Sequence, residues 1–272
     1  MLELNHGFRV VDANAWLPGG EGTAAEEGAE SLEREMHQAG VVRSVVYPGP
    51  HGETVADGDY LRANNAIARG TVERPLVAFA RLNGPRDPGE SATAQLRNLA
   101  ARRDDNHTSP EEVEQYAYDD RFHGFMLDPV RDGLPDGETL DALGTVDLPV
   151  LVHAGAGFPP ESAGPLLERG FPVVLAHFGG FPLDEDRMGR TVELLGTHDD
   201  LYLDTSAVRY RSVLERAIRE HPDRVLFGSG APTVHPNVGV MEILTLDVPE
   251  DSMRRVFSKN AARVVDALGP EG

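Results

Sequence analysis

Eight short, near-continuously apolar runs, separated by longer stretches of helical periodicity, limit what this chain can fold into. The runs are FRVVDAN (8–14), VRSVVYP (42–48), PLVAFARLNG (75–84), RFHGFMLDP (121–129), PVLVHAG (149–155), PVVLAHFGG (172–180), LYLDTSA (201–207) and RVLFGSGAP (224–232). Strands that are apolar on both faces belong in a parallel sheet covered on both sides, because a half-exposed antiparallel strand alternates apolar with polar. Between the runs lie amphipathic stretches such as AAEEGAESLEREMHQAG (24–40), SATAQLRNLAARRD (91–104), DEDRMGRTVELLG (184–196) and SVLERAIREH (212–221). Several begin after Asp, Ser or Pro and end at Gly, the chemistry of helix caps.

Strand and helix in eightfold alternation predict an α/β fold, a (β/α)8 TIM barrel, formed by a single domain over residues 1–272. The first run is not followed by a Gly-rich phosphate or dinucleotide fingerprint, which argues against an open doubly wound sheet. Residues 104–120 read as a polar insertion before the fourth strand, with room for a short helix, and could serve as a lid or a partner surface. Residues 249–268 read as a terminal amphipathic helix.

Composition removes several function classes. Cysteine is absent, which excludes a disulfide framework, a thiolate metal site and a Cys nucleophile. Forty-five acidic residues against 25 basic ones give a net charge of −20, which argues against nucleic acid or an anionic membrane as partner. No apolar stretch has the length of a membrane span, and the N-terminus lacks a basic-then-apolar leader, so a cytoplasmic protein is expected. Lys259 is the only lysine. An acid-rich surface almost without lysine suits concentrated salt, where screening removes self-repulsion. A G+C-rich genome would also exchange Lys for Arg, but it leaves the acid excess unexplained.

In such a barrel the chemistry gathers at the C-terminal ends of the strands. Those ends carry Asn14 and Trp16, Pro48 and His51, Arg81 and Asn83, Asp128, His153, His177, Asp204 with Ser206, and Ser229 with Gly230. His153 and His177 close consecutive apolar runs at equivalent positions, so the two rings can converge on one ligand or one ion.

The stretches VVDANAWL, FARLNG, LVHAG, LAHFGG, LDTSA, GSGAP and FSKNAARV, in this order and spacing, give a sequence that resembles the amidohydrolase-related family of TIM-barrel, metal-dependent hydrolases and decarboxylases. The resemblance covers most of the chain and implies metal ligands in an Asp-x-His-x-His motif on strand one. Here that motif is Asp12-Ala13-Asn14-Ala15-Trp16, so both ligand positions differ. The family's strand-eight Gly-Ser-Asp-x-Pro is here Gly228-Ser229-Gly230-Ala231-Pro232, without the carboxylate. The strand-five and strand-six histidines, His153 and His177, are retained and remain the residual ligand candidates.

Two histidines do not make a catalytic zinc site, which takes three protein ligands around a water. No cofactor is therefore predicted, although a weak or non-standard divalent ion could be held if Asp204, Asp128 or His51 joined the two rings. Without an ion, His177 or His153 is the expected acid–base group, oriented by Asp204. Trp16, Asn14, Arg81, Arg209 and Ser229 are the expected substrate-binding residues. Some have a plainer reading: Trp16 as a plug for the vacated site, Asp204 as a loop cap, Arg209 as a partner of the abundant carboxylates. The function expected is action on, or binding of, a small carboxylated or cyclic molecule. The alternative is a catalytically inactive paralogue that binds a ligand or regulates a relative, as a homodimer or in a mixed oligomer.

Overall fold

The computed structural model describes residues 3–18, 23–49, 60–89 and 91–270. Strands and helices alternate: β1 (Val10–Leu17), α1 (Ala24–Ala39), β2 (Val41–Pro48), α2 (Tyr60–Gly70), β3 (Leu76–Leu82), α3 (Ala92–Ala100), α4 (Pro110–Tyr118) and β4 (Phe122–Leu127). The second half continues with α5 (Pro129–Asp132), α6 (Gly137–Val146), β5 (Val150–Gly155), α7 (Gly164–Leu167), β6 (Val173–Phe181), α8 (Glu185–Leu194), β7 (Leu201–Asp204), α9 (Arg211–Glu220), β8 (Val225–Leu226) and α10 (Pro236–Leu244). The eight strands form one parallel sheet in sequence order. Its ends meet through bonds from Ala13 N to Phe227 O, Gly230 N to Asn14 O and Trp16 N to Ala231 O, which join β1 to the segment after β8. The chain is a TIM barrel.

The apolar runs divide between two cores. Val10, Leu17, Val46, Phe125, Val152, Leu175 and Leu203 face outward beneath the helices. Val11, Val45, Val77, Phe79, Met126, Leu151, Val174 and Leu226 fill the barrel interior. The alternation along each strand places the next inward residue at the strand's C-terminal end: Tyr47 after Val45, Arg81 after Phe79, Asp128 after Met126, His153 after Leu151. The interior is therefore apolar below and polar at the mouth.

Three sequence expectations change in detail. Strand seven stops at Asp204 rather than residue 207, because the Asp204 carboxylate accepts from the Ser206 backbone N–H at 2.7 Å and turns the chain. Strand eight keeps only Val225 and Leu226, since Asp12 draws the Ser229 backbone N–H inward at 2.9 Å and Gly230 takes a left-handed φ of 72°. The C-terminal segment is not one helix: α11 (Glu250–Arg254) runs into a π-helical turn (Arg255–Lys259), then α12 (Asn260–Val264) and a 3-10 turn (Asp266–Leu268). The break lets Val264, Val265 and Leu268 plug the bottom of the barrel, where Arg9 donates to the Leu268 carbonyl at 2.9 Å.

Within the polar stretch 104–120, α4 starts with a Ser109–Glu112 capping box and packs on α6, with Val113 and Tyr116 buried. It belongs to the helical layer of the barrel.

Gly124 shows how tightly the interior is filled, because a Cβ there would lie 2.5 Å from the buried Phe79 ring. Gly124→Ala is expected to destabilise the barrel by about 1–3 kcal/mol through overpacking. In a domain of this size that lowers the melting temperature by roughly 2–4 °C per kcal/mol, measurable by calorimetry.

Candidate functional site

A cavity of about 570 Å³ opens at the mouth, with mostly apolar walls. Asn14, Trp16, Tyr47, Asp128, His153, His177 and Ser229 provide most of its polar lining, and Val130, Arg131, Phe181 and Pro182 its rim. Of the expected site residues, Asn14, Trp16, His153, His177 and Ser229 thus share one space. Asp204 lies directly beneath and is fully buried.

Asp204 organises the floor. One carboxylate oxygen accepts from the Asn14 amide at 2.7 Å; the other accepts from the Ser206 backbone N–H and, in a very short bond, from the Ser206 hydroxyl. Asn14 reaches this position because β1 shifts register between Asp12 and Ala15, and such a bulge re-aims a side chain. Its second amide hydrogen goes to Ser206 Oγ at 3.1 Å, and its carbonyl accepts from the Tyr47 hydroxyl at 2.8 Å. Tyr47 OH also lies 3.0 Å from His153 Nε2. Since its only proton is spent on Asn14, His153 is the donor in that bond.

His177 is fixed from the other side. Its Nδ1 stands 3.1 Å from the Ser206 carbonyl oxygen, which can only accept, so Nδ1 carries the proton. The Ser206 hydroxyl, with its proton on Asp204, accepts a second contact from Nδ1 at 2.8 Å. Burial and the positive field of His153 push the His177 ring down to about 4, which favours the neutral form with Nε2 as a lone-pair acceptor. The His153 and His177 centroids are 5.2 Å apart, and Phe181 packs 5.1 Å from His177. Burial works against the charge of Asp128, but His153, 3.7 Å away, holds its carboxyl below the usual range.

This end of β6 is strained. His177, Phe178 and Gly179 have successive φ values of 59°, 51° and 66°, and Ala207 opposite has 56°. Non-glycine residues in that region cost about 1–3 kcal/mol each and cluster at functional sites.

Trp16 stands as a fixed wall. Its indole N–H donates to Thr233 at 3.1 Å, and its ring packs so closely on Gly49 that a Cβ there would lie 2.0 Å from it. Ser229 lines the cavity with its hydroxyl engaged by Asp12. Burial pushes the Asp12 carboxyl up to about 7 despite the donors from Ser229 and Asn14.

The two expected arginines stand elsewhere. Arg81 is 1% exposed, pairs through both Nε and Nη2 with Asp132, and donates to the carbonyls of Pro48 and Gly49. It braces the end of β2 and does not line the cavity. Arg209 pairs with Glu242 at 2.6 Å outside it. Arg131 at the rim and Tyr47 on the floor were not anticipated. For Tyr47 the alternation Val45–Tyr47 was the available signal; for Arg131, on the short α5 just past strand four, there was none. His51 lies outside the described residues.

Among the described residues, no three His, Asp or Glu side chains cluster closely enough to hold a metal ion. Asn14, at a family ligand position, spends its whole amide on protein partners.

A family model described as amidohydrolase matches residues 90–267. Among solved structures, the 5-carboxyvanillate decarboxylase of Sphingomonas paucimobilis aligns with a TM-score of 0.66 at 16% identity, covering 96% of this chain and 99% of that one. The 2,6-dihydroxybenzoate decarboxylase from Rhizobium aligns with a TM-score of 0.65 at 15% identity, over 96% and 100%. A dihydroxybenzoic acid decarboxylase from Polaromonas sp. JS666, solved with bound manganese and 2-nitroresorcinol, gives 0.66 at 15%, over 94% and 96%. No curated protein matches the chain. In the described residues, no helix is long and apolar enough to cross a membrane.

The depressed His177 value has a thermodynamic consequence. A ring kept neutral by the fold contributes stability that is complete above its unfolded value of 6.5 and is lost as pH falls toward about 4. His177→Asn retains a side chain that tolerates the left-handed backbone. Its melting temperature is expected to fall less between pH 7 and pH 4.5 than that of the wild type, and parallel curves would contradict a neutral His177.

Proposed function

This chain belongs to the amidohydrolase family, and we propose from that premise that its barrel mouth binds and transforms a small planar molecule bearing a carboxylate. The observation that carries the reading is the cavity's division of labour: aromatic walls at Trp16 and Phe181, one cationic side chain at the rim in Arg131, and the His153–His177 pair on the floor. Apolar walls with a few convergent polar groups are the usual form of a small-molecule site. An aromatic acid would lie between the rings, its carboxylate drawn toward Arg131 and its reacting edge toward Nε2 of His177. The solved relatives named above, decarboxylases of carboxylated phenols, support this ligand class.

His177 is the group we assign to proton transfer. A neutral imidazole with Nδ1 held by the Ser206 carbonyl can take a proton at Nε2 and return it. Asp204 is a positioning residue, acting through Ser206. A carbonyl substrate with a bound water would call on the same base, so both hydrolysis and decarboxylation remain within the reach of this arrangement.

One observation favours the second reading, a binding protein without turnover. Asn14, Tyr47 and Ser206 direct their polar groups at one another and at Asp204. Around Asp204, His177 Nε2 is then the principal atom left to act on a ligand.

Trp16 is the only tryptophan, so its fluorescence reports on the cavity. Hydroxybenzoates are expected to quench it saturably, and Phe181→Ala and Arg131→Ala each to weaken binding about tenfold, or about 1.4 kcal/mol. His177→Gln is expected to retain binding and abolish turnover of carboxylated aromatics. Quenching without turnover in the wild type selects the second reading, and no response to any aromatic acid overturns the first.

We further read the surface as adapted to a salt-rich cytosol. Its arginines are widely paired with carboxylates, as in Arg216 with Glu220 and Arg255 with Asp251, yet a charge of −20 remains. The melting temperature is expected to rise between dilute buffer and molar KCl as screening relieves the repulsion. A curve unmoved by salt would remove the idea.

A further inference from the structure

We infer that the Asn14 carboxamide occupies the role a metal ion has in relatives of this fold, joining the strand ends through hydrogen bonds and leaving the mouth with no use for a divalent cation. The inference rests on the proposed site only in sharing its floor, and it concerns how that floor is held together.

The argument is one of donors and acceptors. An ion at a barrel mouth draws side chains from several strands to one point and neutralises their charge. Here Asn14 does both with neutral atoms. Its two N–H groups go to Asp204 at the end of β7 and to Ser206 just beyond it, at 2.7 and 3.1 Å, and its carbonyl accepts from Tyr47 of β2 at 2.8 Å. Tyr47 carries the chain on to His153 of β5 at 3.0 Å, and Ser206 carries it to His177 of β6 at 2.8 Å. Five strands are thus connected through one amide.

The proton directions are forced. An ionised Asp204 can only accept, so the Asn14 nitrogen must face it, and the Asn14 oxygen must face Tyr47. A cation inserted here would meet the Asn14 N–H groups, which repel it, and would have to strip Asp204 of three donors. The ligand positions on β1 and the segment after β8 offer no replacement. Trp16 has no ligating atom and is pinned by Thr233 and Gly49; Gly230 has no side chain.

The inference has a sharp consequence, because Asn and Asp differ by NH2 against O. In Asn14→Asp the introduced carboxylate faces the Asp204 carboxylate at the same short distance, with His153 and His177 beyond. Two carboxylates so close cannot both stay ionised without a cation between them or a shared proton. That variant presents oxygen and nitrogen donors of the kind divalent transition metals take.

The experiment is metal analysis of the full chain after dialysis against zinc or manganese, combined with melting curves in the presence of EDTA or added ion. The wild type is expected to hold less than a tenth of an equivalent and to melt at the same temperature in EDTA and in either metal. Asn14→Asp is expected to take up about one equivalent and to melt higher with metal than with EDTA. One equivalent in the wild type, reversed by EDTA with a lowered melting temperature, overturns the inference, and so does a folded Asn14→Asp that neither gains an ion nor shows a new pH-dependent loss of stability from a shared proton. Should that variant fail to fold, Tyr47→Phe replaces it. This change cuts the link to His153 and leaves the Asn14–Asp204 bond, so it too is expected to bind no ion, and uptake there is equally fatal. Ligand quenching of Trp16 is read on the same samples: metal uptake with ligand binding intact sinks only the present inference, whereas loss of ligand response in a metal-free wild type sinks only the proposed function.

Discussion

A carboxylate without solvent contact cannot stay charged unless donors replace its lost water, and Asp204 sits under the barrel mouth with no exposed surface. Three short bonds answer that demand, two from Ser206 and one from Asn14. Each donor is itself fixed by something further out: Asn14 by Tyr47, Ser206 by its contact with His177. Removing one partner of a buried charge costs about 3–5 kcal/mol, since the remaining charge is stranded. The orientation of nearly every polar group on the floor follows from satisfying this single acid.

The strain at the end of β6 is understandable on the same terms. His177 and Phe178 would both relax toward ordinary backbone angles if nothing held them. What holds His177 is the pair of acceptors offered by Ser206, whose place is set by the turn that Asp204 closes. Phe178 is buried beneath, among the outward-facing core residues, and burying an aromatic ring offsets part of the local cost. Left-handed residues at a mouth therefore mark where the fold spends stability to aim one imidazole into the cavity.

Much of this was legible in the chain. Eight apolar runs correspond to eight strands, and the alternation within them, inward at Val77, Phe79 and Arg81, carries polar residues to the mouth without any knowledge of contacts. His177 does not follow from the same counting: β6 points inward at Val174 and Ala176, His153 pairs with Ala176, and only the left-handed backbone at His177 and Phe178 turns the second ring into the mouth. Arg81 illustrates the limit. Periodicity places it inside the barrel, but only the three-dimensional position of Asp132, fifty-one residues later, decides that its guanidinium is consumed structurally. Arg131 illustrates the converse, since a residue on a one-turn helix has no period to betray its direction. The terminal segment had a helical pattern throughout, and what broke it was the need to reach the barrel floor.

The proposed replacement of an ion by an amide also changes what the site can evolve toward. A metal centre tolerates exchange of one ligand if others keep the charge balanced. A hydrogen-bonded hub is less forgiving, because the directions of its bonds are linked. Exchanging Asn14 for His would remove the acceptor that fixes the Tyr47 proton and free Tyr47 to donate to His153, reversing the bond that His153 now makes. The histidine tautomers, the charge on Asp204 and the identity of residue 14 are therefore one choice, and the family scaffold around them can remain unaltered while that choice differs.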